Sequence, residues 1–293
     1  MRKIRSAKSE EKIVDDNVDS FAVLAKYTKI SCEVEMQNIS NPRASSLYSA
    51  CMRMQVIGVS LKLKQKRFLN LHSRVTFGLG NMVHYHVQNS NWVFDDKKRV
   101  GWWLCTACKK IRQFGRRKTT NCEFCNALPE ASIYYEHSLS VHKDPIIVTG
   151  HPDLLIYLNK GVVRIVEIKS IKKDSYENLI MPIIDHTWQL ITYLMYCNKS
   201  TKKLPIKIDE NLGYVLYISK EQTQRSMLPM RLFPVKNDLA IQEQIKAKLR
   251  LYYTGVTNFP KKLPPVLTEC ERSDFSCWKA KNCAAVSYCK ENC

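Results

Sequence analysis

The stretch Gly150 to Ser170, GHPDLLIYLNKGVVRIVEIKS, constrains this chain more than any other. Two apolar runs, Leu154 to Leu158 and Val162 to Ile168, flank Asn159-Lys160-Gly161, a tight-turn signal, so the segment reads as a β-hairpin. Charges interrupt it where a core strand would not place them. Asp153 stands just before the first run, and period-two alternation puts Glu167 and Lys169 on one face of the second, with Ile168 pointing the other way into the core. Carboxylates gathered at the head of a hairpin repel unless a cation lies between them, and hard oxygen donors suit Mg²⁺ or Mn²⁺. A lysine beside them can orient or polarise a water. An ordinary hairpin with a surface Glu and Lys is the competing reading, and the neighbouring sequence decides between them.

Lys and Arg total 46 against 27 Asp and Glu, a formal charge of +19 that favours a polyanionic partner, nucleic acid first. An anionic membrane surface is the alternative, and no membrane partner is expected. No apolar run approaches the ~20 residues that span a bilayer. The first residues, MRKIRSAKSEEK, lack the apolar segment of a secretory signal, so a cytosolic, cytoplasmic protein is expected. Twelve cysteines in a reducing compartment imply metal binding rather than a disulfide framework. Cys32 and Cys197 fall outside any pattern and are expected to be small buried residues.

The strongest local signal is RVGWWLCTACKKIRQFGRRKTTNCEFCNALPE. Cys105 and Cys108 form one C-x-x-C and Cys122 and Cys125 another, with 13 residues between. Two knuckle turns at that spacing supply four thiolates in a tetrahedron, the zinc-ribbon arrangement, with no open position for substrate. The loop between them carries Lys109, Lys110, Arg112, Arg116, Arg117 and Lys118, with Trp102, Trp103 and Phe114 nearby. That mixture suits phosphate contact plus base stacking, against the alternative of a solvated ribbon tip.

Along the chain, residues 1 to about 30 read as a frayed tail with a short helix at Ser20 to Tyr27. Pro42 and the serines after it start a helix that would carry Leu47, Cys51 and Met54 on one face. A second helix is predicted over Thr76 to Gln88. It holds Gly80 one turn before His84, while His86 points about 200° away round the axis. Ser132 to Val141 alternates as a strand, with Glu136 expected as an exposed strand glutamate. Pro182 to Cys197 reads as a largely buried helix on which Gln189 and Tyr193 share a face. Strands over Gly213 to Ser219 and Met230 to Val235 and a basic amphipathic helix from Asp238 to Tyr253 complete a mixed sheet flanked by helices. The tail then brings cysteines at 270, 277, 283, 289 and 293.

Pro152-Asp153 followed by Glu167-x-Lys169 resembles the PD-(D/E)xK nuclease superfamily. Gly80-x-x-x-His84 and Gln189-x-x-x-Tyr193 resemble the accessory motifs of its RecB-like subgroup, and Glu136 matches the strand glutamate that commonly precedes the aspartate there, although it is not expected to be catalytic. Arg43-Ala44-Ser45-Ser46 leading to Cys51, with Cys283-x5-Cys289 at the far end, resembles the iron–sulfur staple of AddB-type, CRISPR-associated and phage exonucleases of that subgroup. The usual C-x-x-C of the staple is missing, so Cys270 or Cys277 must serve, and a second zinc site in the tail competes with a cluster.

This resemblance implies an α/β, restriction-endonuclease-like core with a small zinc-ribbon insertion. Its parts would be a tail over 1–30, a helical portion over 31–100, the ribbon over 101–130, the nuclease core over 131–260 and a cysteine-rich segment over 261–293. It further implies a DNA exonuclease of recombination, repair or phage DNA metabolism. Mg²⁺ or Mn²⁺ would be held by His84, Asp153, Glu167 and the Ile168 carbonyl, with Lys169, Gln189 and Tyr193 in support. A 4Fe-4S cluster on Cys51, Cys270, Cys283 and Cys289 would clamp the chain ends, alongside structural Zn²⁺. A zinc-ribbon nucleic-acid-binding protein on an inactive scaffold, and a protein whose metals only hold the fold, are the alternatives.

Overall fold

The computed structural model describes residues 33–69, 71–91, 93–117, 119–143, 145–158, 162–221 and 229–292, and not the side chains of 33–36, 66–69 and 71–73. The expected N-terminal tail and its helix, the Asn159-Lys160-Gly161 turn, Cys32 and Lys118 lie outside the described residues.

Strands β1 (Glu33–Asn38) and β2 (Lys64–Leu69) pair antiparallel around helix α1 (Met52–Ser60), and α2 (Leu71–Asn89) follows. Next come β3 (Arg99–Cys105), β4 (Ile111–Gly115), β5 (Ser132–Tyr135), β6 (Leu139–Lys143), β7 (Ile146–Gly150), β8 (Leu154–Tyr157) and β9 (Val163–Ile171). A short α3 (Lys173–Glu177) leads to α4 (Ile184–Tyr196), β10 (Leu212–Ser219), β11 (Met230–Lys236) and α5 (Leu239–Thr257). Three short helices follow, α6 (Thr268–Arg272) with Cys270, α7 (Trp278–Lys281) capped by Cys277, and α8 (Val286–Glu291) with Cys289. No helix among the described residues is long and apolar enough to cross a membrane.

The main sheet has seven strands in the order β11-β10-β9-β8-β3-β4, with β5 also on β3. The expected hairpin is present as β8 and β9, antiparallel, with Leu155 opposite Ile165. β9 and β10 run parallel and the remaining neighbours antiparallel, so the sheet is mixed and helices cover both faces. That explains why β10, LGYVLYIS, is almost continuously buried rather than alternating. In β8 and β9 the alternation sorts the core. Leu154, Ile156, Val166 and Ile168 pack toward α2 with Val87 and Trp103, whereas Leu155 and Ile165 pack with Leu190, Tyr193 and Tyr217 on the α4 side. Glu167 and Lys169 therefore face α4, and Ile168 points the other way as the sequence requires.

Two local expectations are corrected. Leu47 and Cys51 are not on a common helix face with Met54: Ala44–Ser46 is a single 3-10 turn, and α1 starts only at Met52. Cys51 sits extended at its N-cap, where its Sγ accepts the otherwise orphaned amide of Met54 at 3.4 Å. The strand predicted over Ser132 to Val141 breaks after Tyr135, because β5 pairs with β3 while β6 joins β7 in a separate ribbon. The helix predicted from Thr76 begins earlier, at Leu71.

Buried Arg99 fixes α2 to the sheet. Its guanidinium donates to the carbonyls of Val87 and Ser90 at the end of that helix, and to Asn91 and Asp96. A cation there satisfies carbonyls the helix leaves open and meets the negative end of its dipole. At the other end of the molecule, Arg53 in α1 donates to the Pro264 carbonyl at 3.0 Å and the Asn292 carbonyl at 2.6 Å, drawing the tail onto α1.

Candidate active site and metal centres

The charged residues of the hairpin meet at one end of the sheet. Asp153, at the start of β8, accepts the Ile168 amide through Oδ2 at 2.7 Å and lies with Oδ1 3.5 Å from His84 Nδ1. His84 comes from α2, whose approach uses Gly80. A Cβ at that position would already stand 3.4 Å from Ser170 Oγ on β9. Glu167 is fully buried, and its Oε1 accepts Lys169 Nζ at 2.7 Å and Gln189 Nε2 at 2.6 Å. Its Oε2 is buried without a hydrogen-bond partner among the described residues. The Gln189 amide also donates to Tyr193 Oη at 3.0 Å, and that hydroxyl donates to the His151 carbonyl at 3.0 Å. Gly150 makes room for the tyrosine, since a Cβ there would fall 2.7 Å from its ring. The structure thus brings His84, Asp153, Glu167, Lys169, Gln189 and Tyr193 into one network. Ile168 contributes its amide to that network, while its side chain lies in the core.

Glu136 is the residue that sequence reasoning set aside. It is a half-buried neighbour of the site rather than an exposed strand glutamate. Gln88 Nε2, one helical turn beyond His84, donates to Glu136 Oε1 at 2.9 Å and to the Asp153 carbonyl at 2.7 Å. Ligand atoms of His84, Glu136 and Asp153 all lie within 4.8 Å of one another. The signal that pointed to Glu136 was its match to the strand glutamate of the resembled subgroup; period-two alternation alone left it on the exposed face, because it does not reveal the break after Tyr135.

The electrostatics favour a cation. Burial lifts Glu167 well above the ordinary carboxylate range, and the Asp153 charge adds to it. Burial and the same neighbour raise Glu136. Burial alone would raise Asp153 too, but the His84 hydrogen bond and charge, with Lys169 and the Ile168 amide, hold it below the usual value. Burial opposes the charged forms of His84 and Lys169, yet Asp153 raises the first and Glu167 with Asp153 the second. Three carboxyls share two cations here, and the unpartnered Glu167 Oε2 is a donor atom still waiting for one.

The four ribbon cysteines converge as expected. Cys105 and Cys125 Sγ are 3.7 Å apart, Cys108 and Cys122 3.9 Å, and all four lie within 4.8 Å. With Zn–S near 2.3 Å, a tetrahedron has edges of about 3.8 Å, so the set can hold a zinc ion as it stands. Backbone hydrogen bonds, the Cys108 amide foremost, lower Cys105 to about 6 and so favour its thiolate.

Of the basic residues expected to contact nucleic acid, Arg112 is corrected. It is 2% exposed, and its donors are used by Glu123, Ser132, Thr120 and Asn121, so it holds the knuckles together instead. Lys109 and Lys110 are exposed, the latter over the Phe124 ring. Arg116 lies over Tyr157 and Arg117 over Trp103.

The tail cysteines also assemble. Cys51, Cys270, Cys283 and Cys289 line one apolar cavity with Leu267 and Phe275. Cys277 stands beside them, its Sγ 3.5 Å from Cys270 Sγ and accepting the Ala280 amide at the N-cap of α7. Cys197 is buried, as expected of a residue outside the cysteine patterns.

No protein-family description matches the chain, and no curated protein matches it. Among solved structures it is similar to an alkaline exonuclease, LHK-Exo, from Laribacter hongkongensis. That similarity has a TM-score of 0.44 and 11% identity over 80% of this chain and 92% of that one. LHK-Exo in complex with dAMP gives a TM-score of 0.40 and 11% identity over 75% of this chain and 89% of that one. SSO0001 gives 0.36 and 14% over 94% of this chain and 98% of that one.

Proposed function

We propose that this protein is a divalent-metal-dependent nuclease that hydrolyses phosphodiester bonds in DNA, with the PD-(D/E)xK site of the RecB-like subgroup and exonuclease action. The observation that carries this reading is the junction of His84, Glu136, Asp153, Glu167 and Lys169, with one buried carboxylate oxygen left without a donor. Ordinary surface hairpins do not bury two carboxyls side by side. The residues present fit Mg²⁺ or Mn²⁺: Asp153, Glu167, Glu136 and His84 would hold it, with the Ile168 carbonyl as the backbone donor that the resemblance implies. When bound, such an ion lowers the pKa of a water and neutralises charge developing on the phosphate.

The chain's own residues do the remainder. Lys169 directs its ammonium at the attacking water or the phosphate oxygen, and Gln189 and Lys169 fix Glu167 in one orientation. Tyr193 ties that pair to the chain before Asp153 through the His151 carbonyl. Gln88 holds Glu136 and the Asp153 backbone at the spacing a shared ion needs. The charge of +19 supplies the attraction for DNA. The four ribbon thiols hold structural zinc. The tail thiols of Cys51, Cys270, Cys283 and Cys289, gathered round one apolar cavity, would hold the iron–sulfur cluster that the resemblance implies.

The test is digestion of 5′- and 3′-labelled single- and double-stranded DNA with Mg²⁺ or Mn²⁺. Asp153→Asn is expected to lose at least about a thousandfold in rate, several kcal/mol of lost transition-state stabilisation, while still binding DNA. Parent protein that binds DNA in a salt-sensitive way and cuts it with neither ion would point instead to a zinc-ribbon binding protein on an inactive scaffold.

A further inference from the structure

We propose that His186 is a substrate-binding residue of this site, offering its Nε2–H to a backbone phosphate oxygen of the nucleic acid on the side of Lys169 away from Asp153. The proposal rests on the nuclease reading above. On α4, positions 186, 189 and 193 recur at helical spacing, so His186 shares the face that carries Gln189 and Tyr193. It is held there by Tyr217, which lies directly across from Lys169 in the parallel register of β9 and β10.

The hydrogen bonds decide the tautomer. Tyr217 Oη accepts the Ile183 amide at 2.9 Å and lies 2.8 Å from His186 Nδ1. Burial raises the phenol to about 12, so it keeps its proton. Among the described residues the one acceptor available to that proton is His186 Nδ1. With Nδ1 accepting, the ring proton sits on Nε2. Burial, then the Lys169 charge, push His186 down to about 4, so the ring stays neutral at working pH.

The Nε2 edge has no partner among the described residues. The ring is half-exposed, so the Nε2 edge is open to solvent and to a ligand, and a metal ligand would need the Nε2 lone pair that this tautomer lacks. What remains is a fixed donor awaiting an oxygen. Beside it the Lys169 ammonium draws anionic oxygens. Immediately ahead of Ile183, Ile180 and Met181 are exposed and carry no charge.

The experiment measures kcat and KM on end-labelled DNA. In parallel it measures Kd by fluorescence anisotropy of a labelled oligonucleotide with Ca²⁺, which reads binding whether or not cleavage occurs. His186→Leu is expected to raise KM and Kd roughly tenfold to a hundredfold, the loss typical of a hydrogen bond to a charged group, with kcat little changed. His186→Gln, which restores an N–H at a similar reach, is expected to recover most of the loss. Unchanged KM and Kd in a folded His186→Leu protein, or a His186→Gln protein no better than it, overturns the proposal. If His186→Leu fails to fold, Tyr217→Phe decides: releasing the tautomer is expected to raise Kd, and an unchanged Kd overturns the proposal. Failure of the nuclease reading looks different, as a parent protein inert with every divalent ion.

Discussion

Glu167→Gln separates stability from function at this site. Glu167 is fully buried beside Asp153, with both donors on Oε1 and none on Oε2. A glutamine keeps the shape and leaves Oε1 to Lys169 and Gln189. It replaces the orphaned oxygen with an N–H that can donate to the Asp153 carboxylate. Loss of the charge weakens the contact with Lys169, but burial and the Asp153 charge make the ionised Glu167 unfavourable and Asp153 still faces the lysine, so the balance is expected to be a gain of about 1–3 kcal/mol without metal. At a few degrees per kcal/mol for a chain of this size, the midpoint should rise by roughly 2–8 °C.

The pH dependence follows from the direction of the shift. A carboxyl whose folded pKa lies above its unfolded value stabilises the fold fully below the unfolded value, near 4.5, and that contribution is lost as pH rises toward the folded pKa. Parent and variant should therefore melt alike near pH 4, and the variant should gain its advantage above that. Added Mn²⁺ should reverse the order, since ligand binding stabilises only the chain that holds it, and cleavage should be lost. The assay is thermal denaturation in EDTA at pH 4 and 7.5, then with Mn²⁺. A variant that melts lower than the parent in EDTA by the same margin at both pH values would refute the reasoning.

Two further predictions concern the scaffold. Cys51→Ala should lower iron content and the brown colour of anaerobically purified protein while leaving about one zinc per chain; full iron retention by elemental analysis would sink the staple. Gly101→Ala places a Cβ 2.4 Å from the Tyr134 ring, whose hydroxyl accepts the Leu155 amide at the hairpin. Overpacking of this kind should cost about 1–3 kcal/mol in a denaturant titration, and an unchanged midpoint would show that Tyr134 moves aside freely.

The legible parts of the sequence were those with a short period or a fixed spacing. Alternation in Val163–Ile171 assigned Glu167 and Ile168 to opposite faces, and the paired C-x-x-C motifs foretold the four-thiol set. Gln189 and Tyr193 at i, i+4 foretold a bonded pair. What escaped depends on tertiary pairing. Glu136 reaches the site because β5 stays with β3 while the chain turns toward β6, a choice made by partners distant in sequence. Arg112 read as a loop cation because nothing local shows that Glu123 and two carbonyls would enclose it. Cys51 read as a helical residue because its capping geometry depends on where α1 begins.

Strand β3 carries Arg99 at one end and Cys105 at the other, seven residues that span roughly 20 Å. Arg99 grips the end of the helix bearing His84, and Cys105 belongs to the thiol set, so one strand, bulged between Gly101 and Trp103, runs from the four thiols to the carbonyl end of that helix. The position of the thiol cluster and the position of the helix end are therefore set by the same seven residues.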